Sequence, residues 1–437
     1  MRFSSTRTGE PTVDLRQAIF RALAPDGGLY HPTSEPDLRA SILRFGEEHS
    51  FQQIAAETLH GLFPEDFSIE YARDIAKRAF PFSPALKRIS ESVYLLELFH
   101  GPSCAFKDFG ASFLAELMED ALAESGRRAT ILTATSGDTG SAVAKAFYDK
   151  ENIDVVILYP SGRVSPLQEK QLTTLGGNVT AVEVSGSFDD CQRMVKDVFR
   201  DEALTTELNL TSANSINLGR LIPQSFYYLY GFAHMKSRAP GEFLYCVPSG
   251  NFGNLTAGVL AWKWGMPVTG FVAATNVNDV VPRYLETGVY SPRISVKTLS
   301  NAMDVGNPSN FERLQKLFSD GFLDMRAMIT GEVVTDEETL EVMQRYYRDH
   351  NTLLDPHTAA GVSAAERFLE EHFPNVGRVI TLGTAHPGKF AEITEKATGV
   401  SPEIPQRLLK HMELEKQAVG LEPDSDRLKE FLRDRAG

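Results

Sequence analysis

Cysteine is scarce in this chain, with three residues in 437. Cys104, Cys191 and Cys246 are widely separated and odd in number, which excludes a disulfide framework and a Cys-x-x-Cys metal knuckle; each reads as a small buried hydrophobe. Long apolar runs are also lacking. The longest, "DVVILYP" and "LTAGVLAW", have strand or short-helix length, short of the roughly twenty residues a membrane helix needs, so no membrane partner is expected. The opening "MRFSSTRTGEPTVDL" has no apolar stretch behind its basic residues, so a secretory leader is not expected and the cytoplasm is the default. There is no basic excess. A net charge of -14 repels polyanions and argues against nucleic acid as a partner, but not against a small phosphate, which needs only a few oriented N–H groups at a helix start. Several chemical signatures are missing too: G-x-x-x-x-G-K-[ST], G-x-G-x-x-G with its acidic partner, H-E-x-x-H and G-x-S-x-G. Their absence weakens phosphoryl transfer, hydride transfer and serine-nucleophile readings. His100, His357 and His386 sit beside glycine or proline without metal spacing; they read as satisfied polar residues, and no metal is expected.

What is present is an α/β pattern. With 42% hydrophobic and 23% charged residues, the chain is long enough for two or three domains with cores of their own. From residue 93, β-rich runs alternate with helical stretches: "VYLLELF", "ATILTAT", "DVVILYP", "NVTAVEV", "EFLYCVP", "VTGFVAAT" and "RVITLGT" read as strands. Phe113, Leu114, Leu117, Met118 and Ala121 recur at helical spacing. Near-continuous apolar strands belong in sheets covered on both faces, which predicts a doubly wound α/β fold with mostly parallel sheets and ligands at the carboxyl ends of the strands. Residues 1–92 read as a separate, mainly helical N-terminal element, 93–236 as one α/β region and 237–437 as a second. Residues 276–350 look less regular, and "EPDSDRLKEFLRDRAG" reads as a solvated helix and tail.

Three strand ends carry the candidate chemistry. "VPSGNFGNLTAG" follows a strand and opens a helix, so Ser249, Gly250, Asn251, Phe252, Gly253 and Asn254 can turn N–H groups toward a phosphate, unless the glycines serve only the turn. "TATSGDTGSA" offers Thr135, Ser136, Gly137, Asp138, Thr139 and Gly140 to a carboxylate or phosphate, unless Asp138 or Ser141 is simply a helix cap. In "CAFKDFG", Lys107 stands among apolar residues. By itself that segment favours a snorkelling side chain whose head reaches solvent or Asp108; a dehydrated amine, by contrast, is held partly neutral and can form an imine with a carbonyl. Amine, phosphate cradle and carboxylate cradle together fit pyridoxal phosphate. Thr384, at the end of "RVITLGT", offers a hydroxyl to the pyridine nitrogen or caps the helix that begins at Pro387.

The blocks "DGGLY", "ELFHGPSCAFKDFG", "ILTATSGDTGSAVAKAFY", "VVILYPSGRVSPLQEKQLTTLGGN", "SANSINLGRL", "VPSGNFGNLTAG", "AATNVNDVVPRYL", "LSNAMDVGNPSNFERL", "DPHTAAG" and "LGTAHPGKF" resemble, in order, those of the threonine synthase family, whose fold type is shared with tryptophan synthase β. They cover nearly the whole length. The resemblance implies conversion of O-phospho-L-homoserine and water to L-threonine and phosphate, by γ-elimination followed by addition of water at Cβ. It implies that Lys107 carries pyridoxal 5'-phosphate as an imine, that Gly250, Asn251, Phe252, Gly253 and Asn254 hold the cofactor phosphate, and that Thr384 faces the ring nitrogen. The "TSGDTG" loop, through Thr135, Ser136, Asp138 and Thr139, is implied to receive the substrate carboxylate and is expected to move on binding. Arg163, Lys170, Asn217 and Arg220 are the candidates for the substrate's phosphate. Ser103 and Cys104 stand where Thr-Leu is expected, and Gly388 where alanine is more usual; Cys104 reads as packing. A monomer or weak homodimer is expected. The rivals are a dehydratase or β-replacement lyase acting on serine-like substrates, and a binding protein that keeps the fold without turnover.

Overall fold

The computed structural model describes all residues except 10–11, 136, 239–240, 320, 373–376 and 437. Its strands are β1 (Phe3–Ser5), β2 (Tyr30–Pro32), β3 (Ala85–Arg88), β4 (Val93–Glu97), β5 (Ala129–Ala134), β6 (Ile153–Pro160), β7 (Val179–Val184), β8 (Leu210–Thr211), β9 (Phe243–Pro248), β10 (Phe271–Thr275), β11 (Ile329–Val333), β12 (Arg378–Gly383) and β13 (Ala418–Leu421). A six-stranded sheet has the order β11-β10-β9-β12-β4-β3, parallel except for β3, and a five-stranded parallel sheet has the order β13-β7-β6-β5-β8. Every strand read from the sequence is present.

The strand residues sort by parity. Tyr94, Leu96, Tyr245, Val247, Phe271, Ala273, Ile380 and Leu382 join one apolar cluster. Their neighbours Val93, Leu95, Leu244, Cys246, Val272, Ala274 and Val379 join another on the opposite face. Both faces of the sheet are therefore covered, which is why these strands are apolar without a break. The five-stranded sheet behaves likewise, with Ile131, Val155 and Ile157 on one side and Leu132, Val156 and Leu158 on the other.

The N-terminal element pairs β1 with β2 and adds the helices Leu15–Arg21, Arg39–Arg44, Phe51–Leu62 and Ile69–Ala79. Ser50 and Gln53 cap the third of these reciprocally, which fixes Phe51 at its start. The Phe51 ring meets Phe80, Phe109 and Tyr230 edge-on, with centroids 5.0, 5.1 and 5.9 Å apart. Phe109 lies two residues after Lys107, so this aromatic cluster anchors the helix on which that lysine stands.

Two expectations need correction. Residues 276–350 contain β11, parallel to β10; Gly331 and Glu332 interrupt its apolar pattern, and hid it. The C-terminal segment is no solvated tail: its helix Ser425–Ala436 buries Leu428 and Leu432, spaced one turn apart, in the cluster of the five-stranded sheet. The sheets also exchange strands along the sequence. β4 joins the six-stranded sheet although β5 to β8 form the other, and β13 crosses back to pair with β7. Among the described residues, no helix is long and apolar enough to cross a membrane.

Candidate active site

Lys107 is the first residue of the helix Lys107–Ser125, in the segment that follows β4. That segment is laced to the one after β12: Phe106 N–H donates to Thr384 C=O at 2.9 Å and His386 N–H to Cys104 C=O at 3.1 Å. The Lys107 side chain is only 15% exposed, with Nζ 3.6 Å from Asp138 Oδ2 and 4.9 Å from the centre of the Phe106 ring. It therefore neither snorkels nor turns to Asp108, the reading its own segment favoured. Asp108 faces away, accepting Ser103 N–H at 2.9 Å.

Asp138 has a second cation. Lys389, fully buried, places Nζ 2.6 Å from Asp138 Oδ1 and donates to Ser103 C=O at 2.9 Å. Gln168 Nε2 donates to the same Oδ1 at 3.1 Å. Burial pushes the Asp138 carboxyl up, but the Lys389 and Lys107 charges outweigh it and hold the group far below the carboxylate range. Burial lowers Lys107; Asp138 opposes this, while Lys389 and Arg220 reinforce it. Asp108 is pushed by burial up to about 6, against the hydrogen bonds from Ser103. The pocket thus gathers three basic groups against one firmly ionised carboxylate, a balance suited to an anionic ligand.

At the end of β9, Phe252 adopts φ 61° and heads the helix Gly253–Lys263, whose first N–H groups have no intrahelical acceptors. Gly250 is required by close approach: a Cβ there would stand 2.6 Å from Ala302 O and 2.9 Å from Met303 Cα. Asn254 ties the loop inward, Nδ2 donating to Pro248 C=O at 2.8 Å, while Asn251 Oδ1 accepts Ser309 N–H at 3.3 Å. The turn against Gly250 is held by His357, whose Nε2 accepts Ala302 N–H at 3.1 Å while Nδ1–H donates to Asp355 at 2.8 Å. Thr384 is buried, and its Oγ1 has no hydrogen-bond partner among the described residues. It is not a cap, because His386 fills that position and its Nδ1 accepts Gly388 N–H at 3.1 Å.

In the "TSGDTG" loop, Thr135 Oγ1 accepts Gly137 N–H at 3.0 Å and Gly140 N–H at 2.8 Å, so it shapes the loop from within. Gly137 caps the following helix at φ 141°, and neither Asp138 nor Ser141 does so. Thr139 is half-buried, and Ser136 lies outside the described residues. Asp138, expected to help receive a carboxylate, is itself an anion engaged by two lysines, and so cannot attract one. Of the four phosphate candidates, Arg220 alone is buried against the Lys107 helix: a Cβ on Gly110 would stand 2.9 Å from its Nε. Burial lowers its pKa to about 10, with Asp108 opposing, and that Nε has no partner among the described residues. Asn217 spends its amide on Ile19 C=O, Ser212 C=O and Gly219 N–H. Lys170 Nζ donates to Leu414 C=O, and Arg163 is exposed in the turn after β6. Sequence reasoning missed Lys389, although "HPGKF" shows the same lysine in apolar company as "CAFKDFG"; it also missed Asp355, which no local pattern marks.

A family model for pyridoxal-phosphate dependent enzymes matches residues 79–384. Models for the threonine synthase N terminus and C-terminal region match residues 2–80 and 358–432. The chain is 41% identical to threonine synthase of Haemophilus influenzae, over 97% of each chain. The chain belongs to the threonine synthase family. It is 38% identical to the Escherichia coli threonine synthase over 99% of each chain, and that enzyme's crystal structure superposes with a TM-score of 0.92 over the full length of both. A crystal structure of threonine synthase from Brucella melitensis with pyridoxal phosphate bound is 34% identical, with a TM-score of 0.90 over 99% of each chain. The Gly250 loop, Thr384 and Lys107 follow β9, β12 and β4, which are neighbours in the six-stranded sheet.

Proposed function

We infer that Lys107 is the amine that carries the cofactor in this member of the family, with the Gly250–Asn254 turn around the cofactor phosphate and Thr384 at the ring nitrogen. As a threonine synthase, the chain converts O-phospho-L-homoserine and water to L-threonine and phosphate with pyridoxal 5'-phosphate as cofactor. The observation that carries the residue assignment is the buried Lys107 Nζ, 3.6 Å from Asp138, on a segment hydrogen-bonded through its backbone to Thr384, whose buried hydroxyl has no partner among the described residues. Bound pyridoxal phosphate supplies an aldehyde for an amine and an electron-withdrawing ring that acidifies substrate carbons.

The chain's own residues do the rest. Lys107 Nζ, whose pKa burial lowers, takes protons from Cα and Cβ of the substrate and returns them. Arg220 stabilises the departing phosphate from its buried position against Gly110. Thr135 and Thr139 orient the substrate carboxylate at the start of the helix Asp138–Phe147. The "TSGDTG" loop closes over the substrate and excludes water until addition at Cβ. A monomer or weak homodimer in the cytoplasm completes the reading, and the net charge of -14 argues against a nucleic-acid partner.

The test is the visible spectrum of the purified protein. A band is expected that is lost on borohydride reduction, with the label on a peptide containing Lys107, and absent in Lys107→Ala. A label on any other lysine overturns the assignment. Phosphate release from O-phospho-L-homoserine, with serine, threonine and O-acetylserine as poor substrates, separates this reading from the dehydratase and replacement lyases.

A further inference from the structure

The geometry points to Lys389 as a positioning residue that takes over the Asp138 carboxylate as its counter-ion, so that Lys107 is released to act as an amine. This rests on Lys107 being the cofactor-bearing residue. Asp138 stands between two lysines and turns one oxygen to each, but the contacts are unequal: Oδ1 is 2.6 Å from Lys389 Nζ and Oδ2 is 3.6 Å from Lys107 Nζ. The nearer ammonium belongs to a fully buried side chain and is bonded also to Ser103 C=O.

Without Lys389, the ionised Asp138 would need Lys107 as its counter-ion, because a buried carboxylate that loses its cation is strongly disfavoured. An ion-paired lysine keeps its proton and is a poor nucleophile and base. With Lys389 in place the carboxylate is already neutralised, and a second positive charge works against protonation of Lys107. The other charged groups that act on Lys107 Nζ are Asp138 itself, on the helix after β5, and Arg220, from the helix Leu218–Leu221. Asp108, on its own helix, is turned to Ser103, and His357 acts on Asp138. Lys389 comes from the segment after β12 that also carries Thr384, and the Ala105–Ala385 bridge joins that segment to the lysine loop, so its ammonium is delivered by backbone pairing.

The experiment titrates the visible band of the holoenzyme against pH, which reads the proton on the Lys107 nitrogen. In Lys389→Met the unbalanced Asp138 raises the midpoint by about one to two pH units, the size expected for a unit charge removed about 6–12 Å away at an effective dielectric near 20. In Asp138→Asn, with Lys389 left uncompensated, the midpoint falls. In the double variant it returns toward the parent value, an outcome a purely structural role does not produce. If Lys389→Met does not accumulate as folded protein, Asp138→Asn and the double variant still decide. Midpoints that stay within a few tenths of a unit of the parent overturn the role of Lys389. Loss of the borohydride label from Lys107 itself would instead sink the cofactor assignment beneath it.

Discussion

Replacing Thr384 by valine should move the stability of the stripped protein and its grip on the cofactor in opposite directions. The backbone of Thr384 is pinned on both sides whatever the side chain, by its N–H to Thr358 Oγ1 at 3.2 Å and its C=O to Phe106 N–H at 2.9 Å. Valine keeps the β-branched shape and removes only the hydroxyl, which is buried and has no partner among the described residues. An unsatisfied buried hydroxyl costs roughly 1–3 kcal/mol, and the lower end applies where the residue retains a little exposure, so the stripped form should gain about 1 kcal/mol. With cofactor bound, the same change deletes a hydrogen bond to the ring nitrogen, a loss of about 1 kcal/mol. The two terms add in the binding equilibrium, about 2 kcal/mol or some thirtyfold weaker affinity. Urea titrations of the stripped and loaded forms, with fluorescence titration of the cofactor, read both. A Thr384→Val protein that is destabilised when stripped, or that binds the cofactor as tightly as the parent, would refute the placement of that hydroxyl.

Gly250→Ala should cost far more than a methyl group suggests, because the new Cβ meets backbone at Ala302 and Met303; a cofactor affinity reduced at least tenfold is expected, by the same titration. Asp108 is raised from 3.8 to about 6, so the native state holds its proton more tightly than the unfolded chain, and its contribution to stability falls as pH rises through that window. Asp108→Asn should flatten that part of the pH–stability curve measured by urea unfolding; an unchanged slope would assign it elsewhere. Asn217→Ala should destabilise the fold by about 1–2 kcal/mol, since its amide caps a helix and bonds two carbonyls, while leaving KM for O-phospho-L-homoserine near the parent value. Arg220→Met should do the reverse to substrate binding, raising KM or lowering kcat at least tenfold; equal effects from the two variants would undo the distinction drawn between them.

The strand ends were legible because their signals are local. A glycine-bearing turn after an apolar strand, or a lysine among phenylalanines, is written within a dozen residues, and the parity of β4, β9, β10 and β12 follows from alternation along each strand. What was not legible depends on partners distant in sequence. Asp138 sits in a segment that reads as an anion cradle, and the arrival of Lys107 from the end of β4 and Lys389 from beyond β12 makes it an ion-pair member. Asn217 looks like a ligand in an exposed polar run until Ile19, from the N-terminal element, takes up its amide. The C-terminal helix reads as solvated because Leu428 and Leu432 are surrounded by charges, and their burial requires a neighbouring helix that local periodicity does not specify.

One segment gathers these long-range effects. Residues 384–389 carry the buried Thr384 hydroxyl that we propose for the ring nitrogen and the ammonium on Asp138, and they are held to residues 104–106 by backbone hydrogen bonds on both sides of the Ala105–Ala385 bridge. A displacement of this segment therefore changes the ring contact and the charge around Lys107 together, because both groups ride on the same short stretch of chain. Cys104 lies at this junction with φ 58°, its thiol accepting Arg407 Nε–H at 2.9 Å, while the other end of that guanidinium donates to Phe99 C=O at 3.0 Å. Burial raises the thiol pKa, with Arg407 opposing, so Cys104 stays protonated and serves as packing, as its sequence context suggested. At residue 103 the backbone makes the contacts to this site: the Ser103 C=O accepts from Lys389 Nζ and its N–H donates to Asp108, and both groups are present whichever non-proline side chain stands there.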